Sequence, residues 1–407
     1  MLESLDRIDW SKLTHAYGAA TDVPELLRAL ASPDEDAREH AIYELQGNIW
    51  HQGTVYPASA QAVPFLVELL NAPRVLGKDA ILILLAHLAN GSSYHNVRQH
   101  VPRLKSEAAS SEAQRRIPVE LEWVRAATAA VKAGQEAYVK LLSDNDPGVR
   151  AAAVYLLAAL NKPAPELANL MAERYAKEKN ELVRGALLLG LGWLSDKTEP
   201  NRSLLLKALT TETSPATKLG ATFGLIRLCP DQVPQAVIAT LLEAVWAPDR
   251  FKSFEDSPWG QVDGLEKLVT DYLARLEGQP AAVAEQALAE ALPGMEHPQA
   301  LATAEALLNV AFREPTAHDA TFASLSEQQR RILTVVAKNR NVWVQTVGGE
   351  PAVSVKTSLL MRTCGLPGKL NEFLDYVTRE EGTFPQVPAP EKKAGFFERF
   401  RNRLHSK

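Results

Sequence analysis

The chain has 407 residues, of which 46% are hydrophobic and 23% charged, which is enough apolar material to build a core along most of its length. Its formal net charge of −5 supplies no global attraction for phosphate, so nucleic acid is not an expected partner of the surface as a whole. The longest uncharged apolar stretch, around Ala80 to Asn90, falls well short of the roughly 20 residues that a bilayer core requires. The chain begins MLESLDRIDW, acidic where a signal peptide is basic, so a cytoplasmic location is expected.

From Val23 to Asn48 the sequence VPELLRALASPDEDAREHAIYELQGN gives one apolar helix face (Val23, Leu26, Leu27, Leu30), a Ser-Pro-Asp stop, and a second face (Ala37, Ala41, Ile42, Leu45). Two antiparallel helices are predicted. Ser32 can cap the second, Pro33 suits its first turn, and Asp34, Glu35 and Asp36 bring negative charge to the positive end of its dipole. The pattern recurs at 63–90 and 137–161, and then less cleanly at 165–194, 203–228, 234–276, 283–312 and 325–364. A period of two helices in the mid-thirties to forties is the mark of a helical-repeat solenoid, in which each pair buries its apolar surface only by stacking on its neighbours. Ala151, Ala152, Ala153, Gly185, Ala186, Gly190 and Gly192 recur in the second helices, where small residues favour close helix approach. The terminal repeat runs over 325–370, with Ser326 or Ser324 as a cap and Gly365 and Pro367 as a stop. Gly348-Gly349 within it reads as a turn.

Three segments interrupt the pattern. Gly91 to Arg116 is polar and reads as an insertion. Ala247 to Gly260, APDRFKSFEDSPWG, reads as an aromatic and charged loop between the helices of one pair, with Arg250, Phe251 and Trp259 as secondary binding candidates. The third is the end of the chain, where 379–393 is a Pro-rich linker and 394–407 a basic amphipathic tail. Phe396, Phe397, Phe400 and Leu404 share one face of that tail, among Lys392, Lys393, Arg399, Arg401, Arg403 and Lys407. Two uses fit it equally: weak, reversible contact with an anionic membrane or a partner groove, and a cap over the hydrophobic end of the solenoid.

Repeat architecture leaves Gly47 to Tyr56, GNIWHQGTVY, unexplained where the first repeat hands over to the second. Trp50, His51, Gln52, Thr54 and Tyr56 are the partner-binding candidates, with Gly53 permitting tight curvature. The competing reading has Trp50 and Tyr56 plugging the groove between repeats while His51 and Gln52 satisfy loop backbone groups. No Walker loop, HExxH helix, GxSxG elbow or closely spaced His, Asp and Glu set is present in the sequence, so no catalytic residue, metal site or cofactor is expected. Cys229 and Cys364 read as core thiols, His95 and His100 as surface residues, and His87 as a hydrogen-bonded groove residue.

Asp146-Pro147-Gly148-Val149-Arg150, followed by an Ala-rich helix, resembles the consensus of HEAT-like repeats of the phycobilisome-lyase type. That resemblance implies an aspartate and arginine ladder between neighbouring repeats, with Arg38, Arg150, Arg184 and Lys218 at the matching position. His15-Ala16-Tyr17-Gly18 and Gly47 through Tyr56 resemble the N-terminal portion of a group of bacterial HEAT-repeat proteins, over roughly residues 10–90. The fold implied is all-α, a right-handed α-α superhelix of HEAT/armadillo type over 1–378 with a concave recognition surface. The first functional reading is a non-catalytic scaffold or adaptor for a protein partner. Two enzymatic precedents on the same repeats stand beside it. One is a tetrapyrrole lyase, whose match lies in the repeat and in no chromophore-site residue. The other is a HEAT-like DNA glycosylase, for which Trp193, Trp246, Trp259 and Arg250 would supply the groove. Peripheral membrane association through the tail is the remaining alternative.

Overall fold

The computed structural model describes residues 1–99, 111–160, 163–196, 199–313, 315–317, 320–347 and 350–381. Backbone contacts divide the chain into two compact units: Met1–Thr240 with Asp249–Leu268, and Leu241–Pro248 with Val269–Lys407.

The first unit is a stack of antiparallel helical pairs: α1 (Val23–Ala29) with α2 (Glu35–Ile49), α3 (Pro57–Asn71) with α4 (Lys78–Ala89), and, after the short α5 (Tyr94–Gln99) and the long α6 (Ser111–Ala133), α7 (Gln135–Leu141) with α8 (Pro147–Leu160). Two further pairs follow, α9 (Pro165–Lys177) with α10 (Glu181–Leu194) and α11 (Glu199–Thr211) with α12 (Pro215–Leu228). The second helices α2, α4, α8, α10 and α12 pack in sequence order as one layer, and α6 packs on α3 and α4. The expected pairing therefore holds, and the fold is an all-α helical-repeat solenoid.

Details differ at the element ends. The cap of α2 is Asp34, which accepts from the Asp36 N–H at 3.2 Å, while Ser32 Oγ accepts from the Asp34 N–H. Having the cap two residues later leaves the Ser32 and Pro33 carbonyls to accept from Arg38 Nη1. Arg150 does the same to the carbonyls of Asp144 and Asn145, and Arg184 to those of Tyr175 and Glu178. The ladder between repeats exists, but its acidic rungs are glutamates of the following repeat: Arg150 Nε and Nη2 each lie 2.9 Å from a Glu178 oxygen, and Arg184 pairs with Glu212. The Arg150 guanidinium holds the Glu178 carboxyl below its ordinary value against the opposing effect of burial. Bidentate geometry at low exposure makes such a pair stronger than a surface ion pair.

Between α10 and α12 the backbones themselves touch. A Cβ at Gly192 would sit 2.4 Å from Gly224 Cα, and one at Gly220 would sit 2.2 Å from the Gly185 carbonyl oxygen. Only glycine allows that approach, which is the close packing that the small residues predict.

The 234–276 pair is interrupted after α13 (Gln235–Trp246). The predicted loop folds instead into a 3-10 helix, Pro248–Phe254, and the short α14 (Pro258–Asp263), before α15 (Leu265–Arg275). Ser257 caps α14, accepting from the Gly260 N–H at 3.1 Å.

In the second unit α16 (Gly278–Ala291) pairs with α17 (Gln299–Ala311), and α18 (Glu327–Lys338) opens on a Ser326–Gln329 capping box. A hairpin, β5 (Val344–Val347) with β6 (Glu350–Val353), splits the predicted terminal pair; Gly348 and Gly349 lie outside the described residues. Then come α19 (Val355–Thr363) and α20 (Leu370–Glu381), with Trp343 and Phe373 buried against each other at 4.8 Å. Cys229 and Cys364 are buried free thiols as expected, and burial pushes the Cys364 thiol up to about 12. The tail candidates Phe396, Phe397 and Phe400 lie outside the described residues, as does His100.

Gly220→Ala is expected to cost about 3 kcal/mol, the upper part of the range for overpacking a close contact. Denaturant melts of the two proteins check it, and an unchanged midpoint would show that the helices can separate freely.

Candidate functional site

Two hairpins that are not part of any repeat stand at the start of the first unit. The first joins β1 (Thr14–His15) to β2 (Gly18–Ala19), and the second joins β3 (Trp50–His51) to β4 (Thr54–Val55). The Gly47–Tyr56 stretch is therefore not a loop. Gly47 to Ile49 complete α2, the hairpin follows, and Pro57 begins α3, six residues earlier than Val63, where the apolar pattern places it.

In the first hairpin Gly18 adopts a φ of 129° with open space around it, so backbone conformation and not crowding calls for glycine. The Tyr17 N–H donates to His15 Nδ1 at 3.0 Å, so the His15 proton sits on Nε2, which donates to Asp22 Oδ1 at 2.9 Å. The other Asp22 oxygen accepts from Asn48 Nδ2 at 2.7 Å, and the Asn48 carbonyl accepts from the Ala16 N–H. His15 and Asn48 are buried. This network has no spare bonding capacity on His15, and its effect is to fix the first hairpin against the end of α2.

So held, Tyr17 remains 70% exposed. Its ring meets that of His51 edge-on at 5.3 Å, with its hydroxyl 3.3 Å from His51 Nδ1. His51 Nδ1 also lies 3.1 Å from the Gly47 carbonyl, which can only accept, so Nδ1 carries the proton and neutral His51 presents Nε2 as an acceptor. His15 and Tyr17, in the motif His15-Ala16-Tyr17-Gly18, lie more than thirty residues before His51 in the sequence. The signal that links them to His51 is tertiary, and no spacing in the sequence reports it.

The second hairpin turns through Gln52 at φ 51° and Gly53 at φ 92°. Positive φ at both central residues is the type I′ pattern, which favours Asn, Asp or Gly at the first position. Gln52 is exposed and holds that conformation without such help. The hairpin base is pinned: the Tyr56 N–H donates to Ser59 Oγ, which donates to the Ile49 carbonyl, while Ser92 exchanges backbone bonds with Gly53 and Val55. Thr54 is 3% exposed and belongs to this scaffold, which removes it from the candidate contacts; Tyr56 is half-buried at the same place.

Trp50 faces the other way. It stacks on His87 of α4, with centroids 4.3 Å apart and planes 16° apart. This is the groove-plugging role for Trp50, and it corrects the reading of His87: both its ring nitrogens are buried and lack hydrogen-bond partners among the described residues. His95 is likewise half-buried, not a surface residue, and its backbone N–H donates to the buried Glu120 carboxylate at 3.0 Å.

The segment 249–263 lies across the second-helix layer of the first unit. Phe254 meets Phe223 of α12 edge-on at 5.7 Å, and Trp259 meets Tyr155 of α8 at 5.0 Å. Phe251, Phe254 and Trp259 are buried, so Phe251 and Trp259 are core residues and not recognition residues; Arg250 is exposed. Asp263, at the end of α14, acts electrostatically on both His87 and Tyr155. Burial and Asp263 together push the Tyr155 hydroxyl up to about 12. Of the other tryptophans named for a groove, Trp193 carries the Arg227 guanidinium 3.6 Å over its ring. Among the described residues no group of three or more His, Cys, Asp or Glu is placed to hold a metal ion, and no helix is long and apolar enough to cross a membrane.

Burial lowers the His87 pKa below its ordinary 6.5, and the Asp263 carboxylate only partly opposes this. A folded-state value below the unfolded one means that the unfolded chain binds the extra proton first. The contribution of His87 is thus complete above pH 6.5 and is lost as pH falls through its folded value. His87→Phe is expected to flatten this part of the profile, measured as the difference in urea midpoint between the two proteins at pH 7.5 and pH 5. An equal drop in both would exclude His87 as its source.

No protein-family model matches the chain, and no curated protein matches it in sequence. Solved structures that it resembles include one titled for Kap95p binding that induces the switch loops of RanGDP to adopt the GTP-bound conformation, with TM-score 0.36 and 16% identity over 84% of this chain and 41% of that one. Yeast importin-beta (Kap95p) aligns with TM-score 0.30 and 17% identity over 77% and 41%, and an engineered protein with TM-score 0.26 and 18% identity over 78% and 89%. The chain thus spans well under half of the importin-beta chains, and its fold assignment rests on the helix pairing described above.

Proposed function

We propose that this chain is a non-catalytic scaffold that binds a protein partner through the edge formed by its two N-terminal hairpins, with Tyr17, His51 and Gln52 as the contacting side chains. The observation that carries this reading is Gly47. It lies inside the last turn of α2, without the positive φ that would require glycine, and a Cβ there would meet nothing within 4 Å outside its own helix. A helix-interior glycine costs roughly 0.5–1 kcal/mol relative to alanine, and among the described residues nothing occupies the space it leaves. A partner approaching the helix backbone would.

The surroundings agree. Tyr43, one turn before Gly47 on the same face of α2, is 73% exposed, so two tyrosines flank the open position. Exposed aromatic groups held by hydrogen bonds lose little freedom on binding, which favours them as contact residues. Gln52, kept in a disfavoured conformation at the adjacent turn, offers an amide donor and acceptor beside the free Nε2 of His51. Nucleic-acid repair gains no such support, since Trp259 is packed against Tyr155.

The test uses affinity capture from the native host to identify the partner, then a measured Kd. Gly47→Ala should raise stability by about 0.5–1 kcal/mol and yet weaken binding by at least about tenfold, and Tyr17→Ala should weaken it similarly. Gln52→Asn should also stabilise the turn, because Asn tolerates positive φ. If all three variants bind with the wild-type Kd, the recognition surface lies elsewhere.

A further inference from the structure

The second unit contains a cleft of about 420 Å³ lined by Thr321, Phe322, Pro367, Glu372, Asp375 and Tyr376. Its floor is apolar and aromatic: Phe322 is 3% exposed and meets Tyr376 edge-on at 6.0 Å. Its rim is acidic, because Glu372 and Asp375 are exposed residues of α20. Glu372 is engaged by the exposed Lys369 at 2.7 Å, while the Asp375 carboxylate makes no ion pair among the described residues. The Tyr376 hydroxyl is shielded from solvent and has no hydrogen-bond partner among the described residues. A buried hydroxyl left unpaired is unfavourable, a loss that an incoming polar group would recover.

We propose that this cleft is the docking site for the C-terminal segment of the same chain, residues 391–407. Three observations select that occupant. The segment carries Lys392, Lys393, Arg399, Arg401, Arg403 and Lys407 against only Glu391 and Glu398, which complements the acidic rim. It carries Phe396, Phe397 and Phe400, the residue type that fills a floor of Phe322 and Pro367, with arginine left to donate to the Tyr376 hydroxyl. It is also tethered to the site, since α20 ends at Glu381, five residues or about 8 Å beyond Tyr376 along the helix. Phe396 lies fifteen residues beyond Glu381; a chain of that length spans about 20–45 Å, depending on how far its prolines extend it. Tethering of this kind gives an effective concentration of order millimolar, so a short and weak contact is enough to keep the cleft filled. The exposed apolar pair Val355 and Leu359 on α19 is the competing landing place, but its charged neighbours are Lys356, which pairs with Glu305 at 3.1 Å, and Arg362, so it offers the basic tail no acidic rim.

The experiment is disulfide trapping in the full-length chain, where Cys229 and Cys364 are buried. Thr321→Cys combined with Phe397→Cys should close an intramolecular disulfide at least about tenfold faster than Leu359→Cys combined with Phe397→Cys. Adding Glu372→Lys and Asp375→Lys, both at exposed positions, should bring the rate down to that of the control pair, and 0.5 M salt should slow it because the pairing is screened. Circular dichroism of each variant establishes that it is folded, and peptide mapping locates the bond. Equal rates for the two pairs overturn the proposal, as does insensitivity to charge reversal. A bond that forms only between molecules would give the cleft to a second copy. Loss of trapping on adding phosphatidylserine vesicles would assign the tail to a lipid surface instead.

Discussion

Between α10 and α12 no side chain intervenes. Gly185 faces Gly220, and Gly192 faces Gly224, at distances where a single added carbon would collide with backbone. Contact of this kind fixes the separation of the two helices to within a few tenths of an ångström, because dispersion is lost quickly on separation and overlap is forbidden on approach. The second-helix layer is therefore a rigid surface in this part of the first unit. Arg150 and Arg184 hold the other end of their repeats: each guanidinium closes the loop of its own repeat and reaches a glutamate of the next. Backbone contact sets the distance between repeats and the ion pairs set their register.

That rigid surface is occupied. Phe254 and Trp259 lie on Phe223 and Tyr155, and Asp263 reaches the electrostatic neighbourhood of His87. In a helical solenoid the concave face is the usual place for a partner, and on that general ground the aromatic loop after α13 looks like part of a recognition groove. The geometry reverses its role: its aromatic residues are buried against Phe223 and Tyr155 and serve as packing. The proposed recognition surface lies instead at the edge that carries the two hairpins, whose bases pack on α2, α3 and α4.

The sequence made the pairs legible because their period follows from burial, a property of one residue at a time. Helix caps were harder, since Ser32 and Asp34 compete for one role and the choice depends on whether Arg38 needs the Ser32 and Pro33 carbonyls. The hairpins were missed for a similar reason. Two-residue strands have no periodicity to detect, and GNIWHQGTVY shows only that something other than a repeat is present. Within the site, His51 and Gln52 could be named because they stood in that odd stretch. Tyr17 and Gly47 acquire their meaning only through His51, which touches both. Thr54, Phe251 and Trp259 were named for polarity or aromaticity, and burial then assigned them to the interior.

The two kinds of glycine in this chain separate architecture from function. At Gly192 and Gly220 a neighbouring backbone stands where a side chain would go, so the residue is explained within the molecule and its replacement damages the fold. At Gly47 the same residue type stands in open space, in a conformation that alanine accepts, so its helix-weakening effect has no internal return. Gln52, five residues on, departs from local preference in the same way, holding a positive φ that Asn or Gly would adopt at lower cost. Sequences ordinarily agree with their fold at every level, and departures from that agreement gather at functional sites. Two of them flank His51, whose Nδ1 is committed to the Gly47 carbonyl and whose Nε2 is left as the acceptor, beside a tyrosine fixed in place yet largely exposed. On the proposed reading, a partner's contact at these positions offsets the stability forgone there.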